Sequence, residues 1–533
     1  MSTTPVAAPD EYSPRPRIAW RRFDWIVCGG LFVVALLLRW PLWREPPWVD
    51  ELHTGWVVAD GLSDLPARAA QGNQSWLWFL LPWLTTRVEL APWALRLPSL
   101  LAGLAALPLT YSLARRLAGR TAAGYAALLQ LAFDPQWAFY ATEARGYACV
   151  QLFALLHWST WQSLDADRLA SLPATPRWRR RAAWVATGVA LFYLHYTTAL
   201  VLVAELVADL LSIAWRRDPR QARARAVDHA CVALGCLPAL GAIGGIAAHR
   251  DDWSQTLTAS SPWTVFPWYS ALLIPAAVAL LAQAFGRGRA TAWRWSPPPR
   301  LLVRLAAWLL VPVLLATLAT WTDAAQLLRF RYLIAGAALL PLVIATLVSA
   351  ASRPLARSCL LLTATMLPIW HHAPLREWLR GGAWPAERRE HWGALVALLD
   401  RDPPADRRPI LLCPALVEDR HLAVGATPPP SEQLVEFCRF PLRSIYRLRE
   451  SSRAGARDLW PLATLETPRL TDEQRSIIQD AGGCQLVVRG DDELADWIAK
   501  SLAAELRPAR VRATRRSTVD LGALRVIDFK VSP

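Results

Sequence analysis

Repeated apolar runs, each close to the ~20 residues a helix needs to cross a bilayer, constrain this chain more than any other feature. They lie near residues 24–42, 93–114, 121–139, 147–164, 182–197, 198–215, 229–248, 266–285, 301–321, 332–350 and 355–370. About eleven crossings make a mainly α, polytopic helical membrane protein, since only helices or closed barrels satisfy their backbone in lipid. The composition agrees. A chain that is 54% hydrophobic with 29 Trp and a mean hydropathy of +0.21 is not an ordinary soluble domain. The first run follows Arg15, Arg17, Arg21 and Arg22 but is long and lacks a small-residue cleavage site. It reads as an uncleaved first span.

Arginine placement orients the spans. The connections 1–22, 115–120, 166–182, 216–226, 286–304 and 351–357 hold 24 arginines, whereas 43–92, 140–146, 249–265 and 322–331 hold 7. The richer set belongs in the cytoplasm. The N-terminal segment 1–22 is then inside, and the remainder of the chain after residue 370 lies outside an inner (plasma) membrane. The net charge of +15 is explained by this loop bias rather than by nucleic acid. The same count keeps the twelve apolar residues 75–86 at the outer interface, where Trp is favoured. It also makes 182–215 a tight hairpin turning near His195-Tyr196.

From about residue 371 the apolar runs shorten and charges multiply. Residues 388–401, 470–481 and 493–506 read as helices, and 409–413, 484–489 and 524–531 as strands. The alternation predicts an extracytoplasmic α/β domain over 371–533, after a transmembrane domain over 23–370. Cys413, Cys438 and Cys484 fall in this domain without zinc-site spacing. An oxidising compartment would permit one disulfide among them.

The candidate chemistry lies on the outer side. Asp50, Glu51 and His53 follow the Pro46-Pro47 pair that ends the first span. Asn73 and Gln74, Glu143 and Arg145 with Tyr147, His195 and Tyr196, Asp251 and Asp252, and Arg329, Arg331 and Tyr332 reach the same level. Ionisable groups at membrane depth tend to face a cavity. A partly desolvated carboxylate can take a proton from a hydroxyl, and arginines clamp phosphate through paired hydrogen bonds. Each group also has a plain alternative. Asp50-Glu51 suits the first turn of a helix, Glu143–Arg145 a surface pair, Arg329 and Arg331 snorkelling cations, and Asp251-Asp252 a solvated loop. Their common side of the membrane argues for taking them together.

At these residues the chain resembles the GT-C glycosyltransferases, in the bacterial branch similar to protein O-mannosyltransferases and the lipid A aminoarabinose transferase. Asp50-Glu51 matches the acidic motif of the first external loop. Ala94-Leu95-Arg96-Leu97-Pro98-Ser99 resembles a second segment. Asp134-Pro135 with Tyr140-Ala141-Thr142-Glu143-Ala144-Arg145-Gly146-Tyr147 resembles a third, and His195-Tyr196 and Arg331-Tyr332 fall where the branch has such pairs. The likeness covers roughly 24–350. It implies Asp50 as catalytic base beside Glu51, a polyprenyl-phosphate sugar as donor, and Arg145 and Arg331 as phosphate ligands. It further implies a lipid, glycan or protein acceptor, no cofactor, usually no nucleotide sugar and often no metal. One segment departs: the branch commonly has His-Pro-Pro-Leu-Tyr where this chain reads Gly72-Asn73-Gln74-Ser75-Trp76. A lipid-linked-sugar transporter or flippase, and a non-catalytic assembly protein on the same scaffold, are the rival readings. The first would need charges inside the spans, whereas the sequence reads as holding its charges at one face.

Overall fold

A computed structural model describes residues 21–248 and 299–350, apart from 120, 165–173 and 217. Beyond these it describes 373–381, 388–401, 408–423, 430–448, 458–506 without 465, 510–515, 521–532 and a few single residues between 358 and 369. The expected span 266–285, most of 355–370, and Asp251 and Asp252 lie outside the described residues.

The chain is a polytopic helical membrane protein with a C-terminal α/β region. Among the described residues five helices are long and apolar enough to cross a membrane: Arg22–Arg44, Pro92–Ala118, Tyr196–Trp215, Pro219–Ala248 and Leu301–Trp321. The first is α1, broken by Pro46-Pro47. After it come α2 (Val49–Val58), α3 (Leu65–Gln71), the short α4 (Leu80–Thr85) and α5 (Pro92–Ala118). The buried face of α5 is rich in small residues, including Ala94, Ser99, Ala102, Gly103 and Ala106. Small residues let helices approach closely in lipid. At Gly103 an added Cβ would lie 2.5 Å from that of Ala141.

The apolar run 121–139 divides into α6 (Thr121–Phe133) and α7 (Pro135–Ala141). Pro135 cannot continue the preceding helix, and the Asp134 carboxylate accepts the backbone N–H groups of Gln136 and Trp137 at 2.9 and 3.0 Å, starting the next one. Next are α8 (Tyr147–Gln162), α9 (Ala174–Leu194) and α10 (Ala199–Arg216). The last two meet at His195, where the sequence placed the hairpin. Then come α11 (Pro219–Cys236), α12 (Leu240–Ala248), α13 (Pro299–Trp321), α14 (Phe330–Ala337) and α15 (Leu340–Ala350).

The C-terminal region carries a five-stranded sheet in the order β2-β1-β3-β5-β4. The strands are β1 (Ile410–Cys413), β2 (Leu459–Pro461), β3 (Gly483–Arg489), β4 (Arg510–Arg515) and β5 (Leu524–Ser532). β1 runs parallel to both β2 and β3, and β5 antiparallel to β3 and β4, with Leu486 opposite Leu411 on one side and Ile527 on the other. Helices Asp472–Asp480 and Asp492–Glu505 flank it, over a core of Leu411, Ile478, Leu486, Ile498 and Phe529. Strands β2 and β4 and the helices Ala373–Gly381 and Glu432–Arg439 have no counterpart among the elements expected from the sequence. Cys413, Cys438 and Cys484 are buried free thiols, so the disulfide allowed by the sequence does not form.

Candidate active site

The adjacent carboxylates at the start of α2 have different surroundings. Glu51 is fully buried. Arg96 grips it with a fork, Nε to Oε1 at 2.7 Å and Nη2 to Oε2 at 2.6 Å. The Ala144 N–H donates to Oε1 at 2.9 Å, and Arg388 Nε lies 3.5 Å from Oε2. Burial opposes the charge of this carboxyl, but Arg96 and Arg388 outweigh burial and hold it below its ordinary value. The expectation that Glu51 shares the chemistry is therefore revised: its oxygens are committed to fastening α2 to α5 and to the 142–145 turn. Asp50 has a side chain 28% exposed and no such partners. Its Oδ2 lies 4.0 Å from Arg145 Nη2.

Arg145 sits at the centre of the cluster. Its Nη1 reaches the Asp50 carbonyl at 3.5 Å. With the Gln74 amide turned so that its oxygen faces the guanidinium, that oxygen accepts from Nη1 and Nη2 at 2.6 and 2.7 Å, an orientation set by the hydrogen-bond network. The backbone beneath is fixed by Ser99, whose hydroxyl donates to the Arg145 carbonyl at 3.0 Å. The departing segment thus has its own role: Gln74 contacts the arginine. Gly72 is required because a Cβ would come within 2.5 Å of the His53 ring.

Aromatic side chains join Arg145 to Arg331. The His195 ring lies 5.5 Å from Tyr147 and 5.9 Å from Tyr332, and Tyr140 lies 4.9 Å from Tyr147. Arg331 donates from Nη2 to the Tyr332 hydroxyl at 3.2 Å and lies over that ring. Its buried Nε has no hydrogen-bond partner among the described residues. Asp50 is among the charges that Arg331 feels, and both arginines act on His195. Two guanidiniums, one partly exposed carboxylate and one histidine, drawn from α2, the 142–145 turn, the α9–α10 turn and α14, therefore share one electrostatic neighbourhood.

Glu143 is buried under this cluster. Burial pushes its carboxyl up to about 8, although Arg388 and Arg145 pull the other way. Burial therefore favours the neutral acid over the anionic half of a surface pair. His53 is enclosed by Trp56, Phe79, Phe437 and Phe440, with ring centroids 5.5 to 6.0 Å away. Burial, then the Arg145 charge, push it down to about 3, so it is a neutral core residue.

Three expected site residues point elsewhere. Asn73, at φ 55, donates to Glu418 of the C-terminal region at 3.4 Å. Tyr196 packs on Phe192 at 5.3 Å. Arg329 caps the start of α14, with only its charge reaching Arg331. Among the described residues no three His, Cys, Asp or Glu side chains converge as metal ligands do.

A second ionisable cluster corrects the reading that charges gather at one face. Within the bundle, His157 Nε2 lies 3.1 Å from Glu205 Oε2, which also accepts from Trp184 Nε1 at 3.2 Å. One turn along α10, Asp209 Oδ2 lies 3.2 Å from His229 Nε2 and 3.6 Å from Arg225 Nε. The sequence signal was Glu205 and Asp209 four apart inside an apolar run.

No family model matches the chain, and no curated protein matches it. Among solved structures the chain is similar to ArnT from Cupriavidus metallidurans. The apo form matches at 14% identity and TM-score 0.38, over 95% of this chain and 98% of that one. The form bound to undecaprenyl phosphate matches at 14% and 0.37, over 96% and 98%. It is also similar to the archaeal oligosaccharyltransferase AglB from Archaeoglobus fulgidus, in complex with an inhibitory peptide and a dolichol-phosphate, at 11% identity and TM-score 0.42, over 96% of this chain and 75% of that one.

Proposed function

We propose that this chain is an integral-membrane glycosyltransferase that moves a sugar from a polyprenyl-phosphate donor to a hydroxyl of a lipid, glycan or protein acceptor. The observation that carries the reading is the placement of Arg145 between the Asp50 carboxylate and the His195–Tyr147–Arg331 group. Asp50 takes the proton of the acceptor hydroxyl as its oxygen attacks C1 of the sugar. The bond from C1 to the phosphate oxygen breaks, and its electron pair leaves with the polyprenyl phosphate. Arg145 and Arg331 stabilise the charge that grows there. A single displacement inverts C1. The arginine distribution supports a site on the extracytoplasmic side of the plasma membrane.

Binding of undecaprenyl phosphate to the purified chain tests the phosphate clamp. Arg145→Ala and Arg331→Ala should each weaken it by roughly tenfold or more, as expected for losing a charge-assisted contact of ~1.5–3 kcal/mol. Equal affinity in both variants and wild type would remove the clamp.

The buried cluster of His157, Glu205, Asp209 and His229 favours one further reading, passage of the lipid-linked sugar across the membrane, because ionisable chains inside spans mark transport paths. Liposomes carrying the protein and a fluorescent polyprenyl-phosphate sugar separate the two. Transfer without change of leaflet supports the transferase, and change of leaflet abolished by Glu205→Gln supports translocation.

A further inference from the structure

A segment of the C-terminal region reaches back into the membrane domain beneath the site. Arg388 is 2% exposed. Its Nη1 donates to the Leu42 carbonyl at 3.0 Å and to Glu45 Oε2 at 3.2 Å. Its Nη2 reaches the Phe139 carbonyl at 3.4 Å and the Thr142 hydroxyl at 3.5 Å, and its guanidinium lies 4.5 Å from the centre of the Phe139 ring. With Nε on Glu51 at 3.5 Å, one side chain ties together the end of α1, the start of α2 and the turn that leads to Arg145. Two residues on, Glu390 accepts the Val49 N–H at 2.8 Å and the indole N–H of Trp392 at 2.8 Å, and its other oxygen accepts from Arg489 of β3 at 2.7 Å. Ser444 meets the first turn of α2, donating to the Leu52 carbonyl at 2.6 Å. Residue 55 has to be glycine there, because a Cβ would meet the Ser444 hydroxyl at 2.5 Å.

These bonds run from the sheet, through residues 388–390, to both loops that carry the reactive groups. On the transferase reading above, we infer that the C-terminal region is a built-in part of the active site, with Arg388 as a positioning residue that sets Asp50 against Arg145 and Glu390 as its anchor. Arg388 meets neither Asp50 nor Arg145 directly. It acts by fixing the backbone on which each stands. A planar fork with five donors suits this position, and an ammonium does not replace it.

The test uses the full chain in detergent or nanodiscs, with Arg388→Lys, Glu390→Gln and Asp50→Asn beside wild type. Readouts are hydrogen exchange by peptide, undecaprenyl phosphate binding, and kcat and KM with labelled polyprenyl-phosphate sugars. Arg388→Lys should raise exchange in 49–58 and 139–145 but not in β3 or β5. It should lower kcat by roughly 10²-fold, the loss expected from a displacement near 1 Å, while leaving KM for the donor and undecaprenyl phosphate binding within about threefold. Glu390→Gln should show the same pattern more weakly, and it carries the test if Arg388→Lys does not fold. Full kcat with faster exchange would reduce Arg388 to a structural tie and overturn the inference, as would unchanged exchange. Failure of the transferase reading has a different signature, full turnover by Asp50→Asn or none by wild type. The exchange pattern then still decides whether the region governs α2.

Discussion

Glu51→Gln keeps the shape of a side chain and removes its charge from a pocket shared with two arginines. In the native chain Glu51 takes two bonds from Arg96, one from the Ala144 N–H and the ion-pair contact of Arg388. An amide offers one acceptor atom and turns its NH2 toward donors. Removing one partner of a buried pair costs roughly 3–5 kcal/mol. Here Arg96 keeps the carbonyls of Trp43 and Glu45, and Arg388 keeps the Glu45 carboxylate, so the expected loss is at the lower end, about 3 kcal/mol. That is roughly a hundredfold in the folding equilibrium. The neighbouring Asp50→Asn change affects a 28% exposed carboxylate 4.0 Å from its arginine, and should cost less than about 1 kcal/mol. Thermal unfolding of the purified variants side by side measures both. Equal shifts, or a larger shift for Asp50→Asn, would refute the division of labour between the two acids.

Other predictions follow from the same geometry. Glu143, held up to about 8 in the fold against an ordinary 4.5, binds more protons folded than unfolded between those values. Stability from this group is therefore full below about pH 4.5 and lost as pH rises toward 8. Glu143→Gln should remove that slope in unfolding curves recorded from pH 5 to 8, and an unchanged slope would contradict the assignment. Gly55→Ala should destabilise by ~1–3 kcal/mol through overpacking against Ser444 and Ile445, whereas Gly29→Ala, with open space around it, should be neutral or slightly stabilising in the same melt. Glu205→Gln should leave undecaprenyl phosphate binding unchanged, since its partners His157 and Trp184 belong to the second cluster. A loss of binding would join the two clusters into one site.

Local chemistry made much of this architecture legible in the sequence. Asp134-Pro135 carries the signal of a break, because proline cannot extend a helix and aspartate caps the next one, but run length alone makes 121–139 read as one crossing. The turn at His195 follows from the arginine count of the loops on either side of 182–215, and strands β1, β3 and β5 follow from run length and flanking polar residues. The different roles of Asp50 and Glu51 were not legible, because Glu51 is claimed by Arg388, 337 positions away, and no local pattern carries that information. β2 is three residues long, too short to show a period, and β4 is half arginine, so the alternation of Val511 and Ala513 does not stand out as an apolar run. Glu205 and Asp209 leave only a faint signal in the sequence. Averaged across an apolar window, two acids barely lower the hydropathy, yet inside a bundle each needs a partner, and His157, His229 and Arg225 supply them.

In the proposed reaction one proton matters most, the one Asp50 takes from the acceptor hydroxyl. A single-turnover experiment with donor bound to Asp50→Asn isolates it, because binding and chemistry are read separately. Donor affinity should stay within about threefold of wild type and the transfer rate should fall by ~10²–10⁴, the range for losing a general base. Transfer at the wild-type rate would show that residue 50 does not take the proton.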